Sequence, residues 1–436
     1  MDATETDYNR SRLFWIGVLA LFTAAMCFSL RGALFETMRI DFFAADALAQ
    51  STTLLSGAVA AAFLGNALTL FLASPYLDLL GIGNVLRGAA MCFIIGIILT
   101  LGATFVENVD TLYIILWVSM FFQGIGWGAQ EAAINPMTTA LYPEDKTHRL
   151  NVLHAWWPAG LIVGGLVGFA AGSLNIAWEI ALALALVPAV GVLILALGVR
   201  FPQTERAAAG ISMKDMFLEI VRKPTFLIWF GAMFLTAASE LAPGQWVDFA
   251  LSEKVGMRGI LLLVYVAGLM FVMRHFAGPL AHRLSNPGLL WLSSVLAAIG
   301  LFLLSRADSP VTAFVAATVW GIGVCFMWPT MMASVAERYP RGGSWFIGLI
   351  GSAGALAIYF VLPQLGRIVD AKKIALAGGE EALQSLSPEA LAPITMQATS
   401  ESFAVIALIP LALILLFAGI WLNDRRLAKS ALAPAE

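Results

Sequence analysis

Ser74-Pro75-Tyr76-Leu77-Asp78-Leu79-Leu80-Gly81 closes one long apolar run, and Gly278-Pro279-Leu280-Ala281-His282-Arg283-Leu284-Ser285 closes another 204 residues later. A second pair of segments has nearly the same offset. Gly124-Ile125-Gly126, with Tyr142-Pro143 eighteen residues on, recurs as Gly321-Ile322-Gly323 with Tyr339-Pro340, an offset of 197. Each short match alone is within the reach of chance. Together, at corresponding apolar runs, they predict a chain built from two related halves.

The solvent of those halves follows from composition. With 60% apolar and 12% charged residues over 436 positions, most of the surface must face lipid. A net charge of −3 with scattered basic residues excludes a nucleic-acid surface. Cys27, Cys92 and Cys325 are isolated inside apolar runs, which fits neither a disulfide framework nor paired zinc-ligand spacing, and they read as packing residues. Arg10 and Arg12 precede an apolar run from Leu13 to Leu30 that is longer than a signal-peptide core, so a retained first helix is expected.

About 20 apolar residues cross a bilayer core, and charged clusters punctuate the runs. Twelve spans are predicted, at 13–35, 51–73, 83–105, 111–141, 150–172, 176–199, 225–247, 257–280, 288–305, 311–336, 343–364 and 401–422. The expected domains are a six-helix bundle over 1–200, a polar linker over 201–224, and a second bundle over 225–436. Placing both termini in the cytoplasm puts 17 of the 25 Lys and Arg residues on the inner side, as the positive-inside rule asks. The stretch from Gln364 to Ser400 is then expected as a long outer loop with room for a short surface helix.

The segments after spans two and eight resemble the G-x-x-x-D-[RK]-x-G loop of the major facilitator superfamily. The first keeps Asp78 and Gly81, with Ser74 and Leu79 at the leading glycine and basic positions; the second keeps Gly278 and Arg283, with His282 for the acid. The resemblance implies an all-α fold of twelve transmembrane helices in two six-helix pseudo-repeats. It also implies gating contacts at Asp78, Gly81, Gly278 and Arg283; a tight turn with solvated charges is the alternative. Gly160, Gly164, Gly168 and Gly172 form a glycine ridge along span five. In the resembled fold that helix faces span eight across the seam between halves, and static packing is the other reading. Pro136, Pro158, Pro243, Pro329 and Pro363 predict bent spans, tolerated where neighbours satisfy the freed carbonyls.

An ionisable group at membrane depth costs about 2.5–3.5 kcal/mol on insertion scales, so it needs a partner, a cavity or a neutral form. Glu131 is the foremost such group, with Gln130 beside it and Asn135 one turn on along the same face. Proton coupling and a structural hydrogen bond are both open to it. Glu131-Ala132-Ala133-Ile134-Asn135-Pro136, continuing through Arg149-Leu150-Asn151 to Gly160, resembles the helix-four to helix-five region of the fucose-permease branch of sugar:proton symporters. That likeness implies a protonation and sugar-contact role for Glu131. The branch carries an aspartate in helix one where this chain has Arg31, and an asparagine in helix five where Trp157 aligns.

Trp127, Trp156 and Trp157 offer faces for sugar rings or act as interfacial anchors, and His154 relays a proton or bonds a carbonyl. Glu240, Gln245, Trp246 and Asp248 are expected at the outer mouth, at the end of span seven. Arg31 is expected to bind an anionic substrate group, to pair with Glu36 or Glu240, or to snorkel. Arg274 and His275 lie near the cytoplasmic end of span eight, where snorkelling is expected.

No HExxH, paired intramembrane aspartates, Gly-x-Ser-x-Gly or Walker motif is present, which argues against an enzyme and against direct use of ATP. The expected protein is a monomeric, multi-pass inner-membrane transporter without a cofactor, taking up a small sugar-like molecule with protons. Its candidate substrate-binding residues are Arg31, Trp127, Gln130, Glu131, Asn135, His154, Trp157, Glu240, Gln245 and Trp246, with Glu131 and His154 as proton-coupling residues. Organic-anion (sugar acid) transport and export of amphiphilic compounds are the alternatives.

Overall fold

The computed structural model describes residues 8–43, 47–142, 146–203, 212–274 and 277–432; some side chains within these, including those of 146–151, 245–250 and 277–282, lie outside the description. Among the described residues every regular element is a helix: α1 (Arg10–Ala33), α2 (Phe35–Phe43), α3 (Ser51–Leu80), α4 (Ile82–Gly102), α5 (Val109–Leu141), α6 (Lys146–Ser173), α7 (Trp178–Ala183), α8 (Leu186–Leu195), α9 (Met213–Arg222), α10 (Phe226–Val255), α11 (Ile260–Arg274), α12 (Ala277–Arg306), α13 (Pro310–Val324), α14 (Met327–Arg338), α15 (Gly343–Ala377), α16 (Glu380–Gln384), α17 (Pro388–Ile406) and α18 (Leu408–Leu432). Among the described residues ten helical stretches are long and apolar enough to cross a membrane, and Ile260–Arg274 and Pro310–Val324 are shorter apolar helices that bring the crossings to twelve. Twelve crossings put both ends of the chain on one face, called here the termini face.

Close packing without large side chains explains the repeated glycines. A Cβ on Gly124 would run into the Ala62 carbonyl of span two, and one on Gly126 would lie 2.7 Å from the Ala89 carbonyl of span three. In the second half a Cβ on Gly321 would lie 3.1 Å from Val266 of span eight, and one on Gly323 would strike the Ala297 backbone of span nine. The repeat thus marks where spans four and ten lean on their two neighbours, in both halves.

Prolines free carbonyls that side chains from other helices take up. Pro243 leaves the Ser239 carbonyl without its i+4 donor, and the Trp320 indole N–H donates to it at 3.2 Å. Pro329 leaves the Cys325 carbonyl equally bare, and Arg274 Nε donates to it at 3.2 Å. Span ten is broken there into α13 and α14.

Three expectations are corrected. The glycine ridge of α6 faces span one rather than span eight: Cβ atoms on Gly160 and Gly164 would lie 2.6 Å from the Phe22 and Met26 carbonyls, and one on Gly168 would strike Ala33. Ser29 Oγ donates to the Leu161 carbonyl at 2.7 Å along the same seam. Gly165, one position off the ridge, meets Val264 and Ile260 of span eight, and only Gly172 of the ridge reaches that helix's side, at Arg258. The second correction concerns 364–400, where α15 runs on to Ala377 and α17 starts at Pro388. Alanine, leucine and glutamate favour helix there, and the true turn is set by Gly378 and Gly379 at φ +85° and +136°. Third, α10 continues past Pro243 to Val255, which moves Glu240 to mid-helix.

Gly164→Ala is expected to lower stability by about 1–3 kcal/mol by overpacking against a backbone carbonyl, whereas Gly88→Ala, which meets nothing within 4 Å, should leave it unchanged or raised. Thermal unfolding in detergent checks both; equal midpoints would show that the α1–α6 seam relaxes freely.

Candidate functional site

Helical spacing places Trp127, Glu131 and Asn135 of α5 on one face, four residues apart. Trp127 Nε1 donates to Glu131 Oε1 at 2.9 Å, and the Asn66 amide of α3 lies near the same carboxyl without bonding it. Asn135 Nδ2 donates to the Glu131 main-chain carbonyl at 3.4 Å, while its Oδ1 faces His154 Nε2 at 2.9 Å, so that nitrogen donates. His154 therefore reaches Asn135, whose amide bonds the Glu131 main chain rather than its carboxyl.

Trp157, one turn after His154 on α6, stacks on Trp127 with ring centroids 5.3 Å apart and planes at 23°. Phe28 of α1 tilts against both, at 6.2 and 5.9 Å, and Phe63 of α3 meets Trp127 edge-on at 5.5 Å. Glu131 thus sits beside an aromatic wall contributed by four spans, an arrangement with an apolar face and a polar edge. Trp127 is buried, whereas Glu131, Asn135, His154 and Trp157 are half-buried. Trp156 points elsewhere and packs edge-on against Trp15 at 5.5 Å, nearer the termini face.

The second half supplies the opposite wall. Glu240 lies 14 residues after the start of α10, about 21 Å along it at 1.5 Å per residue, so it stands at depth rather than at an outer mouth. Arg274 ends α11 within the bundle, where its Nη2 is 3.8 Å from Glu240 Oε1. The expected snorkelling of Arg274 is replaced by this pairing, because a buried acid and the bare Cys325 carbonyl together satisfy the guanidinium better than a distant interface would. Glu240 is 8% exposed and the Arg274 side chain 21%. The Trp328 main chain, at the start of α14, lies near Glu240, while Glu240 Oε2 has no partner among the described residues. Arg274 is also the charged neighbour of His154, so it links the two walls.

Other candidates lie apart from this centre. Gln130 turns into the first bundle beside Ala20, Thr23, Phe93 and Val192, a quarter-turn away from the Glu131 face. Arg31 is buried, with Nη1 3.2 Å from Gln123 Oε1, and Gln123 in turn donates to Thr100. The acids expected beside Arg31 are engaged elsewhere: Glu36 with Arg39 at 2.6 Å, Glu240 with Arg274. The side chains of Gln245 and Trp246, and the site around Gly278, lie outside the described residues. Asp78 and Gly81 line a cleft at the termini face with Asn84, Arg87, Phe201 and Gln203, and Arg283 is exposed. Gly81 ends α3 at φ +80°, a conformation in which a Cβ is disfavoured.

Asn66 and Phe28 escaped the sequence reading, and Arg274 was read as snorkelling rather than as the partner of Glu240. Arg274 had a usable signal: it and Glu240 fall in consecutive apolar spans with opposite charge, and each needs the other. Asn66 and Phe28 had none, since a single amide or aromatic in an apolar helix is ordinary.

Twelve spans, a doubled six-helix pattern and polar walls meeting at membrane depth define a multi-pass membrane transporter rather than an enzyme. The family model described as Major Facilitator Superfamily matches residues 16–369, and the chain belongs to that superfamily. No curated protein matches it significantly by sequence. Among solved structures, a D-xylose-proton symporter superposes with a TM-score of 0.70 at 16% identity, covering 90% of this chain and 97% of that one. A point mutant of the nucleoside transporter NupG gives 0.64 at 13% identity, covering 93% and 99%. The Major Facilitator Superfamily transporter FucP, in its outward conformation, gives 0.57 at 17% identity, covering 92% and 98%. At these identities the likeness is one of fold.

Removing one partner of the Glu240–Arg274 pair should leave a charge stranded. Glu240→Ala or Arg274→Ala is expected to destabilise by about 3 kcal/mol, and the double variant by less than the sum. Thermal unfolding of the four proteins checks this; strict additivity would show that the two groups do not depend on each other.

Proposed function

We propose that this transporter carries a small, neutral, hydroxylated solute of the sugar type inward together with protons, by alternating access. The observation that carries the reading is the Glu131 carboxyl, held by Trp127 beside the Trp127–Trp157–Phe28 wall at membrane depth. Aromatic faces suit the apolar faces of a sugar ring, and Glu131, Asn135 and His154 suit its hydroxyls. A carboxyl there can bind a proton on one side of the membrane and release it on the other. The name of one structural neighbour, a D-xylose-proton symporter, supports the same substrate class and coupling.

Charge balance favours a neutral solute. Arg274 is the cation at the centre, and Glu240, 3.8 Å away, offsets it. An anionic solute would have to displace that carboxylate. The anion reading keeps one observation in its favour: the pair is looser than a direct hydrogen bond and Arg274 is 21% exposed. In this proposal the termini face is cytoplasmic in a cell inner membrane, the chain works as a monomer, and the bundles 1–200 and 225–436 rock about the site, joined by the linker 201–224.

Proteoliposome counterflow with neutral sugars, sugar acids and hydrophobic cations, with and without an imposed pH gradient, tests the reading. Neutral sugars are expected to exchange, and the gradient to drive their accumulation. Glu131→Gln should keep exchange but lose accumulation; full gradient-driven accumulation by that variant would remove Glu131 from the coupling step. Exchange confined to sugar acids would favour the anion reading, and exchange confined to cations would favour export.

A further inference from the structure

On the face opposite the termini, α3 begins without a cap of its own. The preceding residue, Gln50, makes no side-chain capping bond; the Ser51 N–H is taken by the Leu48 carbonyl of the short turn before it, and the Thr53 N–H finds its acceptor outside the helix. Asp370 of α15, in the other half of the molecule, supplies it. Its Oδ2 accepts from the Thr53 backbone N–H at 2.8 Å and from the Thr53 hydroxyl at 2.6 Å. Lys373, one turn on, pairs with Asp370 Oδ1 at 2.7 Å and donates to the Thr52 hydroxyl at 3.1 Å. Asp370 and Lys373 are 5% and 2% exposed, so this ion pair is held out of water by the seam it closes.

Backbone shape makes the approach possible. A Cβ on Gly366, one turn before Asp370, would lie 2.9 Å from Thr53 Cα. Behind the seam, Arg39 of α2 donates to the Ser51 hydroxyl at 2.8 Å and holds Glu36 through two bonds of 2.7 and 2.6 Å, which fixes the start of α3 from its other side. At the termini face the same two helices meet differently. Ser74 lies against Gly348, where a Cβ would come within 2.6 Å of its hydroxyl, and Phe71 meets Trp345 edge-on at 5.0 Å. One end of the α3–α15 seam is thus closed by a cap and an ion pair, and the other by close packing, with the Ser352 hydroxyl donating to the Ala67 carbonyl at 2.9 Å between them.

The geometry points to Asp370 as a helix cap supplied in trans, which with Lys373 latches the opposite face shut. The inference rests on the alternating-access reading above. Opening that face separates α15 from α3, so the Asp370–Thr53 cap and the Lys373–Thr52 bond exist in one state and not in the other, while the Asp370–Lys373 pair, within α15, passes from buried to exposed. Contacts made in only one state shift the population toward it. The latch therefore biases the unloaded transporter toward the state closed on the face opposite its termini, whatever solute it carries.

Distances across the seam test this without any transport assay. Spin labels at Gln50→Cys and Ala371→Cys, both exposed positions, placed in a chain lacking Cys27, Cys92 and Cys325, report opening by pulsed EPR in liposomes. The otherwise unmodified chain should give a dominant short and a minor long distance. Asp370→Ala with Lys373→Met removes both charges together, and is expected to raise the long-to-short ratio about tenfold. Asp370→Asn with Lys373→Met keeps an acceptor at the helix start and should return the ratio toward that of the parent. Thr53→Val, which leaves both charges in place, should raise it about threefold and serves if the alanine variant fails to fold. Two distances in the parent with no shift in any variant would overturn the latch and leave alternating access standing. One unchanging distance in the parent, with and without solute and a pH gradient, would overturn both.

Discussion

Lipid offers no hydrogen bonds, so every polar group that a span carries must find its partner inside the protein, and this one constraint shapes the architecture. Backbone groups are satisfied within helices until a proline intervenes. Where Pro243 and Pro329 free a carbonyl, a side chain from another helix arrives: the Trp320 indole at Ser239, the Arg274 guanidinium at Cys325. The helix breaks thereby become crossing points. They decide which spans touch and at what depth, and the second wall of the central site is built on one of them.

The same constraint accounts for the small residues. Helices in lipid gain little from apolar contact that lipid tails could not supply, so they associate through close approach. Gly124, Gly126 and Gly323 each put a backbone against a neighbouring backbone. The α6 ridge does so against α1, within one half, which fixes Trp157 relative to Phe28 and gives the aromatic wall a rigid base. Span eight meets α6 instead at Gly165, beside the ridge, which is one place where the halves touch, the α3–α15 seam being another. A ridge committed to packing and a neighbouring position committed to the seam divide two tasks that glycine spacing alone presents as one.

The fold was legible because it is written in runs of about twenty residues and in a repeat, signals that survive any detail of side-chain placement. Span limits failed where polar composition was taken as loop, at 364–400, although alanine and leucine continue helix there. The first wall of the site was legible from i, i+4 spacing on one helix, which puts Trp127, Glu131 and Asn135 together without tertiary information. Gln130 shows the limit of that logic, since adjacency in sequence turns a residue about 100° away. The second wall depends on tertiary pairing. Neither Arg274 nor Glu240 declares its depth: Glu240 was placed near a membrane edge because its helix was taken to end early, and Arg274 because a lone arginine late in an apolar run reads as snorkelling. The Asp370 cap was invisible for the same reason: a helix start that lacks its own capping residue is noticed only when another helix is seen to provide one.

The two central acids occupy unlike positions, and the difference follows from helix continuity. Glu131 lies within an unbroken stretch of α5, where the backbone N–H groups are already used, so its carboxyl is held by a side chain that can rearrange, Trp127, with Asn66 nearby. Glu240 lies near the start of α14, and the Arg274 guanidinium stands 3.8 Å from it. Both acids lie at membrane depth and differ in their neighbours, an indole donor for Glu131 and a guanidinium for Glu240. The repeated architecture thus yields two acids in unlike settings, one of them beside a helix that a proline broke.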